Sequence, residues 1–258
     1  MNRIDQLFAR KQEGILNIYC TAGFPGPEDT LPVMKALQTA GADMIELGMP
    51  FSDPLADGPV IQESSTRSLQ NGMSLKKLFT QLKDFRKTIH LPVILMGYLN
   101  PVLQFGVEAF LQQCAETGVD GLILPDLPMA EYDKEYKPLF EKYGLHLIFL
   151  VTPETSDARL REIDAHSKGF VYAVSSSSTT GKDKDMKAQL AYFERLKAMQ
   201  LKNPVLIGFG IKDKTTFDTA CTYSNGAIIG TAFIKAIENS KDIDGTVQQF
   251  VQSVKGAN

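Results

Sequence analysis

Two carboxylates stand in surroundings that would alter their chemistry. Glu46 interrupts the apolar run D-M-I-E-L-G at residues 43–48, near its C-terminal end. On a strand, Met44 and Glu46 share one face, while Ile45 and Leu47 share the other. An ionisable group in so apolar a run should be partly desolvated, which raises its pKa toward values useful for proton transfer. Asp57 follows in P-F-S-D-P-L-A-D-G-P (50–59), a loop stiffened by prolines and a glycine that can hold Asp53 and Asp57 in place. Small residues form a second constellation. They are the run S-S-S-S-T-T-G (175–181), Gly208-Phe209-Gly210 and Gly230-Thr231-Ala232. Small side chains let backbone N–H groups close on a phosphate, and a helix start adds a favourable dipole. The Thr-Thr-Gly of the serine-rich run could also hinge a lid.

These groups need a frame. Strand-length apolar runs recur at 15–21, 43–47, 92–96, 120–124, 146–151, 169–174, 204–209 and 226–230. Each is nearly continuous rather than alternating, as expected for strands buried on both faces of a parallel sheet. Their starts recur about every 30 residues, the length of one βα unit. Helical patterning lies between them. One helix is expected to open at Pro27, with Glu28 and Asp29 in its first turn, and to close at Gly41. Others close at Gly118 and near Gly169. The expected fold is a single (β/α)8 TIM barrel over residues 1–258. It carries an extra N-terminal helix over the barrel bottom and an enlarged helical connection between strands two and three. The alternative is a doubly wound open sheet. It lacks a dinucleotide fingerprint here, because Gly208-Phe209-Gly210 has no third glycine, and the serine-rich run is not a Walker loop.

The barrel sorts the remaining candidates, because its chemistry sits at the C-terminal ends of the strands. His90 precedes the third strand, His146 begins the fifth and His166 ends a helix before the sixth, so all three belong at or near the opposite face. No lysine lies within the eight runs, which disfavours a barrel Schiff base, although Lys182 sits in a loop. Cys20, Cys114 and Cys221 are far apart and lack C-x-x-C spacing, so neither a disulfide framework nor a metal site is expected. The 258 residues carry 27 basic and 30 acidic side chains, a net charge of −3. That balance offers no field for nucleic acid but leaves room for one small anion. Neither a secretory signal nor a membrane span is expected, and the thiols suit a reducing cytoplasm. The residues alone therefore point to metal-free carboxylate acid/base chemistry on a small phosphorylated substrate.

The segment AGADMIELGMPFSDPLADGPVIQ (40–62) resembles the signature of the tryptophan synthase α-subunit family. The likeness continues through LMGYLNPV (95–102), GVDGLILPDLP (118–128), the Thr-Thr-Gly run, IGFGI (207–211) and GTAFIK (230–235), over essentially the whole chain. The resemblance implies a lyase that cleaves indole-3-glycerol phosphate to indole and glyceraldehyde 3-phosphate by a retro-aldol step. It implies that Glu46 is the acid/base and that Asp57 hydrogen-bonds the indole N–H. It places the phosphate around Gly181, Gly210, Gly230 and Thr231, with Tyr19, Tyr172 and Phe209 lining the pocket and Thr180 in the lid. It also implies a partner, the tryptophan synthase β subunit, in an α2β2 assembly that receives indole. Asp53, Pro54, Asn100 and Pro101 would lie near that contact. Pyridoxal phosphate is then expected in the partner and no cofactor in this chain. Because the chain has no tryptophan, an indole pocket must be built from other apolar and aromatic side chains. Two other readings remain open. One is another phosphate-binding barrel, such as a relative of phosphoribosylanthranilate isomerase or indole-glycerol-phosphate synthase. The other is a weakly catalytic module that activates the β subunit.

Overall fold

The structure, a computed structural model, describes residues 1–174, 185–208 and 210–256. Nine parallel strands form one sheet. They are β1 (Ile15–Thr21), β2 (Met44–Gly48), β3 (Val93–Met96), β4 (Gly121–Ile123), β5 (His146–Leu147), β6 (Leu150–Val151), β7 (Val171–Val174), β8 (Val205–Gly208) and β9 (Gly226–Ile229). Their order is β5-β4-β3-β2-β1-β9-β8-β7-β6. The two outermost strands are consecutive in the chain, separated only by Ile148 and Phe149. The Ile148 N–H donates to the Leu122 carbonyl at 3.0 Å, and the Phe149 carbonyl accepts from the Tyr172 N–H at 3.0 Å. β5 and β6 are thus two halves of one interrupted stave, and the sheet closes on itself as an eight-stave barrel.

Every residue of β1, β2, β3, β8 and β9 is buried. One face of each strand turns to the barrel axis and the other meets the surrounding helices, so their apolar runs are continuous rather than alternating. The connection between β2 and β3 holds two α-helices, Pro59–Gln70 and Leu75–Leu82, and a short 3-10 helix, Phe85–Lys87. Gly41 and Gly118 end their helices in the left-handed conformation, with φ of 94° and 90°. The helix expected from Pro27 instead begins at Thr30. The Asp29 carboxylate accepts from the Gly26 N–H at 2.9 Å, and the Thr30 hydroxyl accepts from the Gly23 N–H at 2.9 Å. These local bonds hold residues 23–29 in turns and delay the first helical residue.

The N-terminal helix, Arg3–Arg10, closes the barrel bottom and buries Ile4, Leu7 and Phe8. Ile4 packs against Gly121 and Gly169, at the N-terminal ends of β4 and β7; a Cβ on Gly169 would stand 3.0 Å from Ile4 Cγ2. Asp120 locks this end. Its nearly inaccessible carboxylate accepts from Arg3 at 3.0 Å, from Arg86 at 2.5 Å and from the Val93 N–H at 2.8 Å. The Asn2 amide donates to its carbonyl at 2.7 Å. A carboxylate serving two guanidiniums and a backbone donor is costly to remove, because each partner is then left unpaired. Asp120→Asn is expected to lower the unfolding free energy by about 2–3 kcal/mol, read from the urea midpoint near neutral pH. A midpoint unchanged from the parent would show that these bonds are replaced by water without loss.

Candidate active site

β2 carries Glu46 between two neighbours in fixed register, opposite Tyr19 of β1 and Ile94 of β3. Alternation along β2 then sends Met44, Glu46 and Gly48 toward the axis. Glu46 is 1% exposed. Burial raises its pKa from 4.5 to about 8; a hydrogen bond from Asn17 opposes the rise, and the charge of Asp57 reinforces it. The Asn17 amide nitrogen donates to Glu46 Oε2 at 3.1 Å.

Asp57 arrives from the loop that follows β2. Its own N–H donates to the Pro54 carbonyl at 3.0 Å, and its carbonyl accepts from the Gln62 side chain at 2.9 Å. The Ala56 N–H donates to the Tyr98 hydroxyl at 2.9 Å, and the Tyr98 ring lies 5.3 Å from that of Phe51. Tyr98 therefore clamps the loop to the end of β3. Burial raises the Asp57 pKa to about 6, against a hydrogen bond from Tyr98 that lowers it. Asp53, in contrast, is exposed; its carboxylate accepts from the neighbouring Ser52 hydroxyl and its carbonyl from the Leu55 N–H, so of the two loop aspartates Asp57 alone lines the cleft.

Both carboxyls open into one cleft at the C-terminal mouth of the barrel. Its walls are Tyr19, Ile61, Met96, Tyr172, Ile211 and Ile228, and its rim holds Gly210, Gly230 and Thr231. Two glycines give the tyrosines room. A Cβ on Gly48 would collide with the Tyr19 hydroxyl, and one on Gly208 with the Tyr172 hydroxyl. Gly210 has φ of 76°, a backbone conformation that side chains resist. Thr231 opens the helix Thr231–Ile237, with Gly230 just before it.

Seven residues singled out from the sequence thus meet in this cleft: Tyr19, Glu46, Asp57, Tyr172, Gly210, Gly230 and Thr231. Thr180, Gly181 and Phe209 lie outside the described residues. Pro54 lies on the same loop as Asp57, and Asn100 and Pro101 sit in the first turn of the helix Leu99–Phe105 that follows β3. The sequence reading passed over Asn17 and Tyr98. Asn17 had a usable signal, a polar residue in the apolar run I-L-N-I-Y-C-T on the same face as Tyr19. Tyr98 had none, because its contact with residues 56 and 57 spans 42 positions of chain. The histidines stay away from the cleft; His146 pairs with Asp5 at 2.8 Å and His166 with Asp133 at 2.9 Å. Among the described residues, no group of His, Cys, Asp and Glu could hold a metal ion, and no helix is long and apolar enough to cross a membrane.

The profile of the tryptophan synthase alpha chain family matches residues 6–257. The chain is 50% identical to the tryptophan synthase alpha chain of Parabacteroides distasonis over 256 residues, covering 99% of this chain and 100% of that one. It is 52% identical to that of Flavobacterium johnsoniae over 256 residues, with 99% and 100% covered. Among solved structures, tryptophan synthase subunit alpha from Legionella pneumophila superposes with a TM-score of 0.87 at 39% identity, covering 99% of this chain and 97% of that chain. The tryptophan synthase complex from Pyrococcus furiosus contains a chain matching with a TM-score of 0.86 at 36% identity, covering 95% and 99%. A barrel of this shape, with the E-L-G-x-P-F-S-D-P-x-A-D-G-P signature placing Glu46 and Asp57 at its mouth, belongs to the tryptophan synthase alpha chain family.

Proposed function

We propose that Glu46 and Asp57 divide the retro-aldol cleavage of indole-3-glycerol phosphate between them, Glu46 as the proton shuttle and Asp57 as a fixed anion. As a tryptophan synthase alpha chain, the protein is a carbon–carbon lyase of tryptophan biosynthesis. It releases indole and glyceraldehyde 3-phosphate and passes indole to the β subunit, which binds the pyridoxal phosphate; this chain needs no cofactor of its own.

The observation that supports these roles is one cleft holding two carboxyls whose pKa values are pushed to about 8 and about 6. Near pH 7 Glu46 keeps its proton and Asp57 is ionised. Two carboxyls separated in this way can serve as acid and as anion at one pH. Asp57 accepts the indole N–H while Glu46 gives its proton to indole C3, and the Asp57 carboxylate offsets the positive charge that forms on the ring. The newly ionised Glu46 then takes the proton of the C3′ hydroxyl. The oxygen's electrons form the aldehyde C=O, the C3–C3′ bond breaks, and its electrons return to the ring and discharge the cation. Indole and the aldehyde result, and Glu46 is protonated again.

Tyr19, Tyr172, Met96 and the isoleucines provide apolar walls for the indole ring, and Gly210, Gly230 and Thr231 supply close backbone approach for the phosphate. Thr180, Gly181 and Phe209 are assigned to the lid, phosphate and pocket by family resemblance alone. The β subunit would sit on the mouth at Asp53, Pro54, Asn100 and Pro101. Leu55 is 91% exposed within the first loop, and Leu103 is 46% exposed two residues beyond Pro101; apolar side chains left in water beside the mouth suit a partner surface. In this reading all 258 residues serve as one barrel domain in a cytoplasmic α2β2 assembly.

Glu46→Gln should abolish indole release while the phosphate ligand still binds. Turnover near the parent's would remove Glu46 from the chemistry. The same variant tests the burial. The Glu46 carboxyl ionises near 4.5 in the unfolded chain and near 8 in the fold, so the parent loses stability as pH rises through this window. The melting-temperature advantage of Glu46→Gln should therefore grow from pH 4.5 to pH 8. Asp57→Asn should cost at least about two orders of magnitude in kcat, the scale of one preorganised electrostatic stabiliser. An unchanged kcat would reassign Asp57 to the loop or the interface.

A further inference from the structure

Asn17 stands beneath the cleft on β1, one inward position before Tyr19 and in register with Met44. It is 0% exposed. Its Nδ2 donates to Glu46 Oε2 at 3.1 Å, while its Oδ1 is buried with no hydrogen-bond partner among the described residues. A half-bonded amide inside a barrel is a poor device for stability, since an apolar side chain of the same shape would leave nothing unpaired. Glu46 Oε1 receives no hydrogen bond from any described residue. The two carboxyl oxygens are therefore unequal. An oxygen that already faces an N–H cannot also carry the carboxyl proton without opposing two hydrogens, so the proton belongs on the other.

We infer that Asn17 is a positioning residue for the proton transfers: its amide fixes the Glu46 carboxyl through Oε2 and leaves Oε1 to give and take the substrate's proton. This rests on Glu46 being the proton shuttle. A carboxyl held by one oxygen presents the other in one orientation to both indole C3 and the C3′ hydroxyl. A freely turning carboxyl would present either oxygen, with the proton on the wrong one part of the time.

The Asn17 N–H stabilises the carboxylate form, so its loss makes Glu46 hold its proton to higher pH. The other titratable group that acts on Glu46 is Asp57 from the loop after β2; Tyr19 and Cys20 on β1 and Tyr172 on β7 feel the Glu46 charge, which raises their pKa values. None of them is itself altered by a substitution at Asn17, and Ile94, opposite on β3, is apolar.

The test is the pH profile of indole release by the full chain carrying Asn17→Val or, with less bulk, Asn17→Ser. The parent should give a bell with limbs near 6 and 8, set by Asp57 and Glu46. In both variants the alkaline limb should move up by roughly half a pH unit or more. At the optimum, kcat should fall about ten- to a hundredfold with KM for indole-3-glycerol phosphate unchanged. The melting temperature of the valine variant should match or exceed the parent's. A folded variant whose alkaline limb stays at the parent's pH overturns the inference, as does a lower melting temperature with no movement of the limb, which marks a structural role. The Glu46→Gln control separates the two claims. If that variant turns over, the Glu46 assignment fails; if it is inactive and the Asn17 limb does not move, only the role of Asn17 fails.

Discussion

Removing one carboxyl from water is the constraint around which the barrel mouth is arranged. Glu46 cannot shed its proton cheaply, because β1 and β3 flank it in register and Tyr19, Met96 and Tyr172 share the cleft into which it opens. Asp57 enters the same cleft from a loop that stays partly open to solvent, and so ionises first. Its charge then makes the ionisation of Glu46 harder still. The Asn17 amide pulls the other way. Two acids of nearly equal intrinsic strength are thereby set about two units apart, astride neutrality.

The rest of the scaffold keeps that arrangement dry and shaped. Ile4 and the N-terminal helix seal the bottom, with Asp120 tying the first turn of that helix to the starts of β3 and β4. Access is left to the opposite end, where the connecting loops can vary without disturbing the staves. At that end space is allocated by what is missing. Gly48 and Gly208 lack the carbon that would displace the tyrosine hydroxyls, so two phenol rings can line a site that has no tryptophan to use. The loop carrying Asp57 also carries the exposed Leu55, so the cleft carboxyl and the rim proposed to meet the β subunit lie on one segment.

Much of this was legible in the chain. The eight apolar runs fall on the eight staves, because strands buried on both faces leave a continuous signature. The helix ends at Gly41 and Gly118 were readable because a left-handed cap nearly demands glycine. The helix start at Pro27 was misplaced, because side-chain bonds by Asp29 and Thr30 to nearby backbone outweigh the proline signal. The break in the fifth stave was not legible either. HLIFLV reads as one strand, and only the divergence of its two neighbours, β4 and β7, divides its pairing.

For the site the division is similar. The sequence alone determined that Glu46 sits in an apolar strand, that Asp57 follows on a stiff loop, and that the signature around both belongs to one family. Those are local properties, carried by neighbours in the chain. Only the tertiary structure decided that Asn17 and Tyr98 are the hydrogen-bond partners of these two carboxyls and that Asp53 is not in the cleft. Those facts depend on register between strands and on contacts across tens of residues. A pKa is set by the dielectric and the donors that surround a group in space, and the chain brings these together only when the barrel closes.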